Sequence, residues 1–180
     1  IDLRIEPGST VGVLGGTGSG KSSLVQLIAR LYDATEGAVL VGGRDVRDYD
    51  RVALRDAVGI VLHKYVLFTG TVRENLRWGA PDATDEELLR ACHAACVDEF
   101  LYRIGGLDGE LGQGGAGGSG GQKQRLCIAR TLLKHPRVLI FDDSTSAVDM
   151  ATDATIRELI AQIPDTTVII IAQRIASVMD

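Results

Sequence analysis

Three cysteines are all that the 180 residues carry. An odd and small number excludes the disulfide framework of a small secreted domain and points to a reducing, cytosolic setting. Long apolar runs are missing as well. None approaches the roughly 18 residues of a membrane helix, so no segment of this chain is expected to span a bilayer. No stretch reads as a signal peptide. The net charge of -5 supplies no basic face, which weighs against a sequence-independent nucleic-acid binder; no nucleic-acid partner is expected. Internal repeats and charged low-complexity runs are absent too.

What is present is an ordinary globular balance, 45% hydrophobic and 24% charged residues, in a chain long enough for one domain with a sizeable core. Ile1 opens inside an apparent strand, IDLRI, and Asp180 closes just after another apolar run. The chain is therefore expected to be truncated at both ends. Cys92 and Cys96 stand four apart with His93 between them. A metal pair is conceivable, but the spacing is wrong for the common zinc knuckles and no second ligand pair accompanies it. Small apolar residues on a helix face are the better reading.

Periodicity orders the rest. Val11–Leu14 reads as a strand, followed by a glycine loop and an apolar-periodic helix over Leu24–Leu31. Glu36–Gly43 and Asp56–Leu62 read as strands. From about 71 to 133 the character turns helical. Thr84 with Glu87 forms a capping box, and Leu88, Leu89, Ala91, Cys92, Ala95, Cys96 and Phe100 trace an apolar, core-packing face. A glycine-dense stretch, GELGQGGAGGSGGQ, then opens into the helix KQRLCIARTLL, which Pro136 ends. Val138–Phe141 is a buried strand, about Asp153–Ile163 a helix, and Thr167–Ala172 a last buried strand. Alternating strands and helices predict an α/β fold with a mainly parallel sheet. Residues of about 1–70 and 134–180 form the expected core, and about 71–133 an inserted helical lobe.

The stretch GGTGSGKS over 15–22 matches G-x-x-x-x-G-K-[ST], with a strand before it and a helix after it. Gly15, Gly16, Thr17, Gly18, Ser19 and Gly20, with Lys21, Ser22 and Ser23 at the helix start, are the candidate phosphate-binding residues. The glycines let backbone N–H groups converge on phosphate oxygens, and the helix N-terminus adds partial positive charge. Lys21 reaches the β/γ-phosphates and the Ser22 hydroxyl ligates Mg²⁺. A plain glycine turn before a capped helix is the alternative, and the agreement of motif with context outweighs it. Four apolar residues, Val138 to Phe141, end abruptly in two carboxylates, Asp142 and Asp143. A charge at a buried strand end needs a cation beside it, which places Asp142 as the second Mg²⁺ anchor of a P-loop nucleotidase. No N-K-x-D segment is present to read guanine.

SGGQKQR over Ser119–Arg125 opens a helix about twenty residues before that aspartate. With it the chain resembles, over essentially its whole length, the ATP-binding cassette family, which carries an LSGGQ-type signature at this location. The resemblance implies a RecA-like P-loop core with a helical subdomain. VLFTGTVRENLRWG (Val66–Gly79) looks like the segment after the glutamine loop of exporter-type cassettes. ELGQGG (Glu110–Gly115) resembles their cross-talk loop and SAVD (Ser146–Asp149) their D-loop. The family implies two cassettes head to tail, each ATP lying between one phosphate loop and the partner's signature. Ser119, Gly120, Gly121 and Gln122 are thus implied nucleotide-binding residues. The implied partners are a second cassette and the transmembrane domain of an exporter, at the cytoplasmic face of the plasma membrane. The family's adenine-stacking aromatic is not found upstream in this chain.

Departures from the family pattern are informative. Asp143 stands where the family usually has the glutamate general base, and it is one methylene shorter. A shift of about 1 Å can cost on the order of a hundredfold in rate. Gln173 replaces the switch histidine and carries neither proton nor charge to the γ-phosphate. His63 stands at the glutamine-loop position, which couples Mg²⁺ and the attacking water to the membrane domains. Gly117 and Gly118 replace a polar residue and an apolar one, leaving the signature less well anchored because glycine loses more entropy on ordering. Asp143 with Gln173 resembles the degenerate half of a heterodimeric exporter, whose signature completes a competent partner site. Two alternatives are a soluble cassette protein of translation or DNA repair and a regulatory ATP-binding module without turnover. Repair relatives carry a long coiled coil between phosphate loop and signature, for which the interval here is too short.

Overall fold

A computed structural model of the chain gathers the long strands into one unit and residues 61–135 with 150–164 into another. It describes residues 1–62, 65–115, 117–142 and 150–172. In chain order the first elements are β1 (Thr10–Leu14), α1 (Lys21–Ile28), β2 (Leu40–Val41), β3 (Arg44–Asp45), α2 (Arg51–Ala57) and β4 (Val58–Val61). There follow β5 (Gly70–Thr71), α3 (Val72–Arg77), α4 (Asp85–Ala94), α5 (Asp98–Arg103) and β6 (Glu110–Leu111). The last are α6 (Gly120–Leu132), β7 (Val138–Asp142), α7 (Met150–Ala161) and β8 (Thr167–Ala172). One unit holds Ile1–Ile60, Pro136–Asp143 and Asp165–Asp180, the other Val61–His135 and Ser144–Pro164.

The first unit is built on a four-stranded sheet in the order β1-β8-β7-β4. β8 pairs in parallel with both neighbours, Gly12 opposite Ile170 on one side and Phe141 opposite Ile170 on the other. Val25 of α1 and Ala29, its C-cap, pack with Leu54, Val58, Ile140, Ile169 and Ile171 in one buried cluster. Continuous apolar runs in β7 and β8 suit strands of a parallel sheet with covered faces. The fold is therefore the α/β, mainly parallel arrangement expected of a P-loop nucleotidase.

Some local expectations shift. Ile1–Ile5 lies in no strand, and among the described residues β1 is the edge of its sheet. Asp56 and Ala57 belong to α2, because Asp50 caps that helix by accepting the N–H groups of Val52 and Ala53. The strand begins only at Val58. Of Glu36–Gly43 only Leu40–Val41 is strand, turning back through Gly42 and Gly43 at φ 58° and 79°, the pair of positive angles that a tight hairpin turn requires.

In the second unit α6 packs against α3 and α4, and α4 also against α7. The apolar face expected to run on from Leu88 to Phe100 is interrupted. α4 ends at Ala94, Cys96 stands at φ 53°, and α5 begins at Asp98. Leu89 is exposed. Cys92 and Cys127 are buried, and burial pushes the Cys92 thiol up to about 12. It stays a neutral, apolar packing group at physiological pH.

Candidate nucleotide-binding site

Residues 15–20 carry the chain from the end of β1 into α1. Gly18 and Gly20 stand at φ 79° and 87°, which side-chain-bearing residues rarely adopt. A Cβ on Gly16, Gly18 or Gly20 would meet nothing within 4 Å, so the loop borders open space, whereas one on Gly15 would press on the Ser19 Oγ at 2.9 Å. Gly20 occupies the N-cap position of α1, and no side chain caps that helix. Its first-turn N–H groups are thus without the side-chain acceptor that most helices supply.

Lys21 curls back over this loop. Its Nζ donates to the carbonyls of Gly15 at 2.7 Å and Gly16 at 2.8 Å, and to Ser19 Oγ at 3.3 Å. These are neutral acceptors. An anionic phosphate oxygen in the same space is a stronger partner for an ammonium group. Ser22, next in the chain, donates its hydroxyl to Asp142 Oδ1 at 2.7 Å across a separation of 120 residues. Asp142 ends β7 and is 6% exposed. Among the described residues it makes no ion pair. A buried carboxylate beside a serine hydroxyl is a pair of hard oxygen donors, which fits Mg²⁺ better than a soft metal. Of the other expected residues, Thr17 lies in the loop and Ser23 in the first turn of α1. His63, Asp143, Gln173 and the SAVD segment fall outside the described residues.

The second unit carries the SGGQ segment. Ser119 is the N-cap of α6, and a reciprocal capping box ties its side chain to the Gln122 N–H and the Gln122 side chain to the Ser119 N–H. The helix starts at Gly120, three residues before the expected KQR start, because that box closes the first turn. Gly117 stands at φ 101°, and a Cβ at Gly118 would come within 3.2 Å of the Phe100 ring. Arg103 donates to Gln122 Oε1 at 3.1 Å. Sequence reasoning missed Arg103, since nothing in DEFLYR marks one side chain as reaching a segment nineteen residues on.

The Val66–Gly79 segment has its own order. Thr71 and Glu74 form a capping box on α3. Asn75, 2% exposed, accepts from the Phe68 N–H and donates to the carbonyls of Phe68 and Thr71. Phe68 stacks on Trp78 with centroids 4.8 Å apart, and both rings are partly open to solvent.

A parallel sheet whose first strand runs through a glycine loop into a lysine- and serine-headed helix, with a buried aspartate beside that serine, defines a P-loop nucleotide-binding domain. A family model described as ABC transporter matches residues 1–146. The chain belongs to the ABC transporter family. An ABC transporter ATP-binding protein of Mycobacterium tuberculosis is 46% identical over 98% of this chain, which spans 31% of that relative. A multidrug efflux ATP-binding/permease protein of the same organism is 44% identical over 97% of the chain and 15% of its own length. A solved structure of a bacterial Atm1-family ABC exporter with ATP bound matches with a TM-score of 0.93 at 38% identity. That match covers 99% of this chain and 32% of the exporter chain. The chain thus spans about a third or less of these relatives.

Proposed function

We propose that this chain is the ATP-binding and ATP-hydrolysing domain of an exporter, driving transport through ATP-dependent association with a second cassette. The observation that carries this is the meeting of Lys21, the loop carbonyls, Ser22 and Asp142 at one end of a parallel sheet. The efflux relative and the exporter with ATP bound support the exporter assignment. On this reading Lys21 exchanges neutral carbonyls for phosphate oxygens, and the uncapped first turn of α1 receives the phosphate charge. Ser22 and Asp142 would hold Mg²⁺, which supplies charge compensation to the phosphates when bound. Residues of about 71–133 make up the helical subdomain that presents Ser119 to Gln122 to the partner's nucleotide. A transmembrane domain of the exporter and the cytoplasmic face of the plasma membrane complete the setting.

The chain's own site is hydrolytically weakened, because Asp143 is a short base and Gln173 cannot carry charge. It is therefore one half of a heterodimer, whose second cassette keeps the competent residues. The test is a titration with a fluorescent ATP analogue in Mg²⁺. Lys21→Ala removes charge-assisted hydrogen bonds and should weaken binding by about tenfold or more. Unchanged affinity in that variant would sink the phosphate-loop assignment.

A further inference from the structure

We infer that Arg103 is a positioning residue for the signature segment, acting through Gln122 on Ser119. This rests on the reading that Ser119–Gln122 serve a nucleotide held by a partner cassette. Gln122 Oε1 accepts from the Ser119 N–H at 2.9 Å and from the Arg103 guanidinium at 3.1 Å. An amide oxygen has two lone pairs, so these two donors fill it. Gln122 then works by holding the segment, its carbonyl oxygen having no capacity left for another donor. Ser119 Oγ accepts from the Gln122 N–H at 3.3 Å, which leaves the hydroxyl proton to be donated outward. A correctly aimed donor is what an anionic γ-phosphate needs.

The support comes from a different helix. Arg103 and Phe100 both belong to α5, with the guanidinium 5.6 Å from the centre of the Phe100 ring. That ring lies 3.2 Å from where a Cβ of Gly118 would stand. α5 thus meets the segment at two residues, an aromatic ring against Gly118 before Ser119 and a guanidinium against Gln122 after it. Gly117 and Gly118 have no side chains of their own with which to anchor the segment, and α5 supplies the anchor.

The charge is placed against the helix's own preference. A helix N-terminus carries partial positive charge and favours acidic neighbours, yet the first turn of α6 has no acidic residue and its cap is held by an arginine. That arrangement is sensible where an anion is to be received, because the exposed guanidinium then adds to the attraction.

The experiment uses the full-length transporter assembled with its partner cassette and measures steady-state ATPase activity. Arg103→Ala should lower kcat by about tenfold or more with KM changed by less than about twofold, the pattern of a lost transition-state contact. Arg103→Lys, which keeps a charged donor, should stay within about threefold of the parent enzyme. Combining Arg103→Ala with Gln122→Ala should cost no more than the worse single change, since one acts through the other. Multiplying losses in the double variant, an unaltered kcat in Arg103→Ala, or a lysine as damaging as alanine overturns the inference. So does weaker ATP binding by this chain's own phosphate loop in Arg103→Ala, which would mark general damage to the domain. Failure of the underlying reading shows separately, as a Lys21→Ala chain with unchanged ATP affinity.

Discussion

Gly117 shows how a single residue gains a second meaning once its backbone is seen. In the sequence it is one more glycine weakening a signature, through the entropy that ordering it costs. In the structure its φ of 101° is one that L side chains rarely adopt, so glycine is the residue that the turn requires. We predict that Gly117→Ala destabilises the domain by about 1–2 kcal/mol, seen as a lower urea midpoint. Gly16→Ala is the control: its φ is not positive and its Cβ would meet nothing within 4 Å, so the midpoint should hardly move. An equal loss in both variants would show that glycine content, and not the turn, is what matters. Asp45 is legible in neither way. The Arg47 side chain, then its backbone N–H, holds that carboxyl down at about 2, because Asp45 caps the short 3-10 turn over Val46–Asp48 that contains Arg47.

At the scale of the element, helix starts carry most of the local information. Among the described residues three helices begin with a reciprocal capping box: Thr71 with Glu74, Thr84 with Glu87, and Ser119 with Gln122. Thr84 and Glu87 are readable because a polar pair precedes an apolar, periodic run. Ser119 and Gln122 are hidden by the glycines around them. Replacing Thr84 with Ala should cost about 1 kcal/mol, measured by urea unfolding. The backbone N–H of Thr84, and then its hydroxyl, hold the Glu87 carboxyl below its ordinary value of 4.5. A depressed carboxyl contributes stability that is full above its unfolded pKa and is lost as pH falls through the folded one. The stability gap between the parent and Glu87→Ala should therefore be full above about pH 5 and narrow on acidification below it. A gap that widens below pH 4.5 would contradict the cap.

For the whole molecule the decisive question is which of the two composite sites proposed above turns over. If the signature serves the partner's nucleotide, Ser119→Arg puts a bulky side chain into that junction. It should leave ATP binding by this chain intact and collapse ATPase activity of the mixed pair, where a lost donor costs roughly 3–4 kcal/mol. Lys21→Ala should leave more activity in the same pair, because on the proposed reading it damages only the weaker site. The reverse order would show that the signature serves no partner. Restoring Asp143→Glu with Gln173→His should in turn raise turnover of this chain's own site by about tenfold or more, with His63→Gln added as the fuller comparison.

The sequence alone determined the fold class and the family, and it named the residues proposed to hold phosphate. Each of these is written in contiguous residues: apolar runs bounded by glycine, a lysine and serine at a helix start, SGGQ before another. Periodicity and loop chemistry act over a few residues, so they survive without coordinates. Only the tertiary structure decided which distant groups meet. Ser22 and Asp142 lie 120 residues apart and come within 2.7 Å because β7 returns to the middle of the sheet begun by β1. Arg103 of α5 reaches Gln122 in the first turn of α6, nineteen residues on. Packing selects such contacts from many that a pattern allows, and no local rule encodes the choice.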